Sequence, residues 1–185
     1  HVTFRSLKNA GVTFAGHPTG VVDHCSFDGD HEEAVWVSHE SWDGGGFGDS
    51  SWASPPTFGS ADAVYVEDCE VIDRAVNGAG ALVLLSGGRG VLRHSLLTND
   101  GVYVAGTESS GRFRSGRHVE IYANHFVTTG QFGAVELSGG TGVVFDNVFE
   151  GAFTSLVRLR VGRSQGAFAP WGRCNGSSVF DQNSQ

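Results

Sequence analysis

A chain of 185 residues, 39% hydrophobic and 17% charged, has the composition of one folded domain rather than of a disordered or fibrous polymer. Its net charge of −8 lacks a clustered Lys/Arg face, which excludes nucleic acid as the expected partner. The longest apolar run, GAGALVLL, is far too short to span a bilayer, which excludes membrane insertion by a helix.

The charge is uneven: residues 1–80 hold 13 acids against 3 bases, and residues 81–185 hold 7 acids against 9 bases. Twenty-eight Gly without a collagen period imply many tight turns. Beginning at His1 and containing no Met, the chain reads as a processed product or a piece of something longer.

Short period-2 segments follow one another along the chain. In order they are GVTFAG (11–16), VVDHCSF (21–27), AVWVSH (34–39), VYVEDCEV (64–71), LVLLSGG (82–88), GVLRHSLL (90–97), GVYVAG (101–106), VEIYANHF (119–126), AVELSGG (134–140), VVFDNVF (143–149) and SLVRLRVG (155–162). Each has the alternation of a strand, and none sustains a 3.6-residue period. Five of them share a further pattern, a small polar residue followed two positions later by an apolar anchor. The polar positions are Cys25, Cys69, Ser95, Asn124 and Asn147; the anchors are Phe27, Val71, Leu97, Phe126 and Phe149. Anchor spacings of 44, 26, 29 and 23 residues give a unit of roughly 22–26 residues with insertions.

Two or three short strands per unit, joined by Gly- and Asn-rich turns, describe coils of a parallel β-helix in which equivalent positions stack about 4.8 Å apart. An antiparallel sandwich would also space strands this way, but it does not require one side-chain type to recur at one position. The expected fold is therefore all-β, a parallel β-helix of about six coils with two long turn insertions. Residues 1–165 would form the solenoid and residues 166–185 a C-terminal extension.

The pattern in VVFDNVFEG and VEIYANHFVTTG resembles right-handed parallel β-helix repeats of the pectate-lyase-like superfamily, over about residues 2–161. That resemblance implies a right-handed coil and specifies fold far better than function. The tail PWGRCNGSSVFDQNSQ is similar to a segment of secreted bacterial β-helix proteins of undefined activity, in which a further Cys follows. It implies an extracellular or periplasmic chain that is cut short here, with other parts of a longer chain as partners. Cys25 and Cys69, at one ladder position in successive coils, read either as a disulfide or as stacked free thiols. Cys174 is then left over, which flags a partner elsewhere.

In a packed solenoid, function belongs to outward side chains and inserted turns. Residues 39–60 carry Trp42, Phe47, Trp52 and Phe58; residues 106–117 carry Arg112, Phe113, Arg114 and Arg117. Both follow the same repeat strand, so they are expected to wall a groove roughly 10 Å wide on one side. Its floor would be Trp36, Leu84, Tyr103, Glu136 and Arg158. Aromatic faces lie flat on sugar rings and Arg grips carboxylates, so the expected ligand is a polysaccharide.

A second outward column reads Asp23-His24, Glu67-Asp68, Arg93-His94, Tyr122 and Asp146. Glu67, Asp68, Arg93 and His94 are the candidate catalytic residues of a lyase or glycoside hydrolase, which needs a carboxylate beside a proton-transferring base. Stacked carboxylates also suit Ca²⁺, and no other cofactor is indicated. Lyases of the resembled family use carboxylate clusters with a Lys or Arg base, yet none of their catalytic motifs matches residue by residue, and Lys8 is the single Lys. The run DGDHEE (28–33) lacks the paired His or Cys of a metal site and reads as a solvated turn. The reading from another class is a structural or adhesive solenoid without a catalytic site.

Overall fold

A computed structural model describes residues 1–39, 55, 57–78, 80–106 and 115–160. Among these there is no helix, and hence none long and apolar enough to cross a membrane. Seventeen strands form three sheets, all of whose ladders are parallel. Sheet A contains β1 (Thr3–Leu7), β4 (Ser26–Gly29), β7 (Glu70–Asp73), β10 (Leu96–Thr98), β13 (His125–Thr128) and β16 (Val148–Gly151). Sheet B contains β2 (Val12–Phe14), β5 (Glu33–Ser38), β8 (Gly80–Leu85), β11 (Gly101–Val104), β14 (Gly133–Leu137) and β17 (Ser155–Leu159). Sheet C contains β3 (Gly20–Asp23), β6 (Val64–Glu67), β9 (Arg89–Arg93), β12 (His118–Tyr122) and β15 (Thr141–Phe145). Each strand pairs with the one three places later, so each coil runs A, B, C and returns to A. The chain is an all-β parallel β-helix: five three-strand coils and two strands of a sixth.

The interior consists of side-chain columns fixed by register. Sheet A contributes Phe4, Phe27, Val71, Leu97, Phe126 and Phe149 in direct opposition. The rings of Phe4 and Phe27 stack at 4.7 Å and those of Phe126 and Phe149 at 4.9 Å. Sheet B contributes Val35, Leu82, Val102 and Val135, and beside them Val37, Leu84 and Val104; sheet C contributes Val22, Val66, Leu92 and Ile121. Burying each such side chain contributes about 1.5–3 kcal/mol.

The five small polar positions occupy the corner between sheets C and A. The residue before each has a left-handed backbone: His24 (φ 50), Asp68 (φ 51), His94 (φ 53), Ala123 (φ 55) and Asp146 (φ 51). This bend interrupts the strand ladder, and the next residue's amide is satisfied by the side chain one coil on. Cys25 N–H donates to Cys69 Sγ (3.4 Å), Cys69 N–H to Ser95 Oγ (3.1 Å), Ser95 N–H to Asn124 Oδ1 (3.0 Å) and Asn124 N–H to Asn147 Oδ1 (3.1 Å). Asn124 Nδ2 also donates to the carbonyl of Leu92 (2.9 Å), and Asn147 Nδ2 to that of Ile121 (2.9 Å). Cys25 and Cys69 are free thiols in this ladder, and burial pushes the Cys69 thiol up to about 11. Cys174 lies outside the described residues.

The repeated SGG segments are the tight turns from sheet B to sheet C in the third and fifth coils, between Leu85 and Arg89 and between Leu137 and Thr141. A Cβ at Gly88 would collide with the carbonyl of Val37, and one at Gly140 (φ 72) with that of Gly116. Only glycine lets successive coils pass this closely. The same turn in the second and fourth coils carries the insertions, from Ser38 to Val64 and from Val104 to His118.

Two substitutions at adjacent positions separate the ladder from the bend. Asn124→Ala leaves the Ser95 amide unpaired in a buried corner, removes a bond to the Leu92 carbonyl and is expected to cost about 1–3 kcal/mol. Ala123→Gly relieves the left-handed alanine and is expected to gain about 0.5–1 kcal/mol. Urea denaturation of both variants measures the two opposite signs.

Candidate functional site

Two outward surfaces carry the chemistry. On sheet B the register places Thr13, Trp36, Val83, Tyr103, Glu136 and Arg158 in one outward row. Four of the five expected floor residues therefore stand together. The fifth does not: Leu84 is fully buried in the inward column between Val37 and Val104, and Val83 takes the outward place. The strand GALVLL is apolar throughout, so alternation cannot mark its faces, and the pairing shifts between Gly101 and Val102.

Tyr103, Glu136 and Arg158 floor a cleft of about 420 Å³ whose sides are Asn77, Gln131 and Phe132 from turns between sheets A and B. Phe132 is held edge-on to Phe153 at 5.5 Å. Glu136 accepts from Ser138 Oγ (3.2 Å) and is paired with Arg158 (3.4 Å) and Arg160 (2.5 Å). One carboxylate against two guanidiniums leaves local positive charge in an acidic chain. The wall residues Asn77, Gln131 and Phe132 escaped the sequence reading because their turns, VNGAG and TTGQFG, resemble ordinary loops.

The insertions do leave sheet B on the same side, after β5 and β11, with β8 between them. Trp42, Trp52, Arg112 and Arg114 lie outside the described residues. The return leg of the first insertion, residues 57–63, turns onto sheet C instead of walling the sheet B floor. Phe58 packs against the His118 ring at 4.6 Å, Gly59 N–H donates to Glu120 Oε1 (2.8 Å), and Asp62 pairs with Arg89. Tyr65 OH donates to the Ser60 carbonyl (2.8 Å). Burial lowers the His118 pKa, against its contact with Glu120.

The second column lies on the rest of sheet C, with Asp23, Glu67, Arg93, Tyr122 and Phe145 in register. Arg93 Nε donates to Glu67 (2.6 Å), its Nη1 donates to Tyr122 Oη (2.9 Å), and its guanidinium lies 4.9 Å from the Tyr65 ring centre. Tyr122 stacks on Phe145 at 4.9 Å. His94 meets Tyr122 edge-on at 6.1 Å, and Asp68 turns the other way, toward Asp23 and His24. Of the four candidate catalytic residues, Glu67 and Arg93 are thus ion-paired to each other, while Asp68 and His94 stand at exposed corners. Asp23, His24 and Asp68 are the one group among the described residues able to converge on a metal ion.

The run DGDHEE departs from a simple solvated turn. His31 is fully buried and its Nε2 is 2.7 Å from the Asp100 carboxylate, itself fully buried and accepting from Gly101 N–H (2.7 Å). Burial pushes the Asp100 carboxyl up to about 6 despite the imidazole beside it. Burial alone would lower the His31 pKa, but the carboxylates of Asp100 and Asp73 hold the proton and raise it.

Comparison with known proteins returned no match to a family model, to a curated protein or to a solved structure.

The His31–Asp100 pair makes stability depend on pH. Both pKa values are raised on folding, so the folded chain holds protons that the unfolded chain releases above its ordinary values of 3.8 and 6.5. The stabilisation is present at acid pH and is lost as pH rises through about 6 and past the histidine range. Against the variant His31→Gln/Asp100→Asn, wild type is expected to lose about 1–3 kcal/mol of relative stability between pH 4 and pH 8. Thermal unfolding across that range measures the difference.

Proposed function

We propose that the chain binds an extended polysaccharide along the outer face of sheet B, centred on Tyr103. The observation that carries this reading is the row Trp36, Val83, Tyr103, Glu136 and Arg158 on five successive coils, with an open cleft of about 420 Å³ over its second half. A parallel ladder repeats contacts every 4.7–4.9 Å, which favours a linear polymer over a compact ligand. The half-buried Tyr103 ring offers a face for a sugar, and Asn77, Gln131 and Glu136 offer hydroxyl partners.

Binding without turnover is favoured over catalysis. Glu67, the carboxylate best placed for acid or base work on sheet C, is committed to Arg93. The resemblance to pectate-lyase-like repeats in the sequence supports the same class of ligand, and an extracellular or periplasmic location belongs with it. A lyase or hydrolase activity would draw on Asp68 and His94, and a purely structural solenoid would use neither surface.

Electrophoresis of the folded protein through gels that each contain one neutral or acidic polysaccharide tests the reading. Retardation is expected in at least one gel, weakened about fivefold or more by Tyr103→Ala and by Arg158→Ala and unchanged by Glu67→Gln. Free migration in every gel would assign the chain to the structural class. Clearing of the polymer, abolished by Asp68→Asn, would establish an enzyme.

A further inference from the structure

The geometry points to a divalent metal site at Asp23, His24 and Asp68, selective for a transition ion of the zinc type over Ca²⁺. These side chains are exposed, and one donor atom from each lies within 4.8 Å of the others. His24 and Asp68 are equivalent left-handed corner residues of consecutive coils. Their backbones are fixed by hydrogen bonds to the next coil, His24 N–H to the Glu67 carbonyl (3.2 Å) and Asp68 N–H to the Arg93 carbonyl (3.3 Å). Asp23 is the last residue of β3, and its Oδ1 is 2.5 Å from His24 Nδ1. The three ligands therefore project from a rigid frame and not from a mobile loop.

Charge compensation supplies an independent argument. Asp28, Asp62, Glu67 and Glu136 each carry an arginine partner: Arg74, Arg89, Arg93 and, for Glu136, both Arg158 and Arg160. Asp23 and Asp68 stand on neighbouring coils with no arginine or lysine bridging them among the described residues; Asp23 meets only His24. Asp23 stands in register with Glu67, which Arg93 holds, whereas Asp68 lies at the corner just past β6 with no arginine or lysine against it among the described residues. A second imidazole stands by: the His1 ring packs edge-on to His24 at 5.2 Å, tethered through Nδ1 to the His24 carbonyl (2.9 Å).

The donor set decides the metal. Ca²⁺ takes six to eight oxygens, whereas one imidazole and two carboxylates suit zinc and related ions at about 2.0–2.2 Å. Binding would replace the Asp23–His24 contact, offset the charge of the two carboxylates and tie the first coil to the second. This site is separate from the sheet B cleft and does not depend on which polymer binds there.

Calorimetric titration of the chelator-treated 185-residue chain with ZnCl₂, MnCl₂ and CaCl₂ tests the assignment. One Zn²⁺ per chain is expected, bound more tightly than Ca²⁺. His24→Gln and Asp68→Asn are each expected to weaken it about tenfold or more, while His125→Gln, at a half-buried histidine paired elsewhere, leaves it unchanged. All three positions are exposed or half-exposed, and matched circular dichroism confirms that the variants fold. Absence of Zn²⁺ binding, equal binding by wild type and both site variants, or a Ca²⁺ preference insensitive to His24→Gln would overturn the proposal.

Discussion

At each corner where sheet C returns to sheet A, the backbone turns through a left-handed residue and one amide loses its strand partner. The side chain one coil further on takes that amide, and four such bonds in series join Cys25, Cys69, Ser95, Asn124 and Asn147. An unpaired buried amide costs about 1–3 kcal/mol, so this ladder permits a sharp corner inside a packed solenoid. Its chemistry strengthens along the chain, from a weak sulfur acceptor to an amide that also donates to a carbonyl. The corner also sets the register of both flanking sheets. From it follow the phenylalanine column inside sheet A and the outward rows on sheets B and C.

The corner was legible because its two requirements leave compositional traces at one position. A small side chain with an acceptor recurs there, and an anchor such as Phe27 or Phe126 recurs two places on. Phe4 escaped because TFRSL lacks the polar residue before it. The floor of the cleft was legible wherever polar and apolar residues alternate, as in GVYV and AVEL, and failed at GALVLL, where alternation vanishes and Leu84 cannot be told from Val83. The buried His31–Asp100 pair was invisible for another reason. It joins residues two coils apart in the fold and far apart in the chain, and the acids around His31 in sequence mimic a solvated turn. Turns that wall the cleft, such as the one carrying Phe132, differ from plain loops only in where the coil places them.

The regular frame converts spacing along the sequence into spacing across a surface. Sheet C is partly covered, because residues 57–63 cross it from β6 to β12 through Tyr65, Arg89, Glu120 and His118. Among the described residues, what stays open on it is the row near the corner, where Glu67, Arg93 and Tyr122 satisfy one another and Asp23 pairs with His24 beside Asp68. Among the described residues, sheet B stays open over its later coils, with mixed aromatic, amide and charged groups around the cleft. The two proposals thus fall on different sheets, the polymer on sheet B and the cation at the corner of sheet C.

Native-state amide hydrogen exchange read by NMR tests the central role of the ladder most directly. If the corner bonds hold the coils in register, the Cys69, Ser95 and Asn124 amides exchange only through global unfolding, with the same free energy as core amides such as Leu92 and Ile121. Exchange of those three amides at rates near those of exposed turns, while the strands stay protected, would contradict the account.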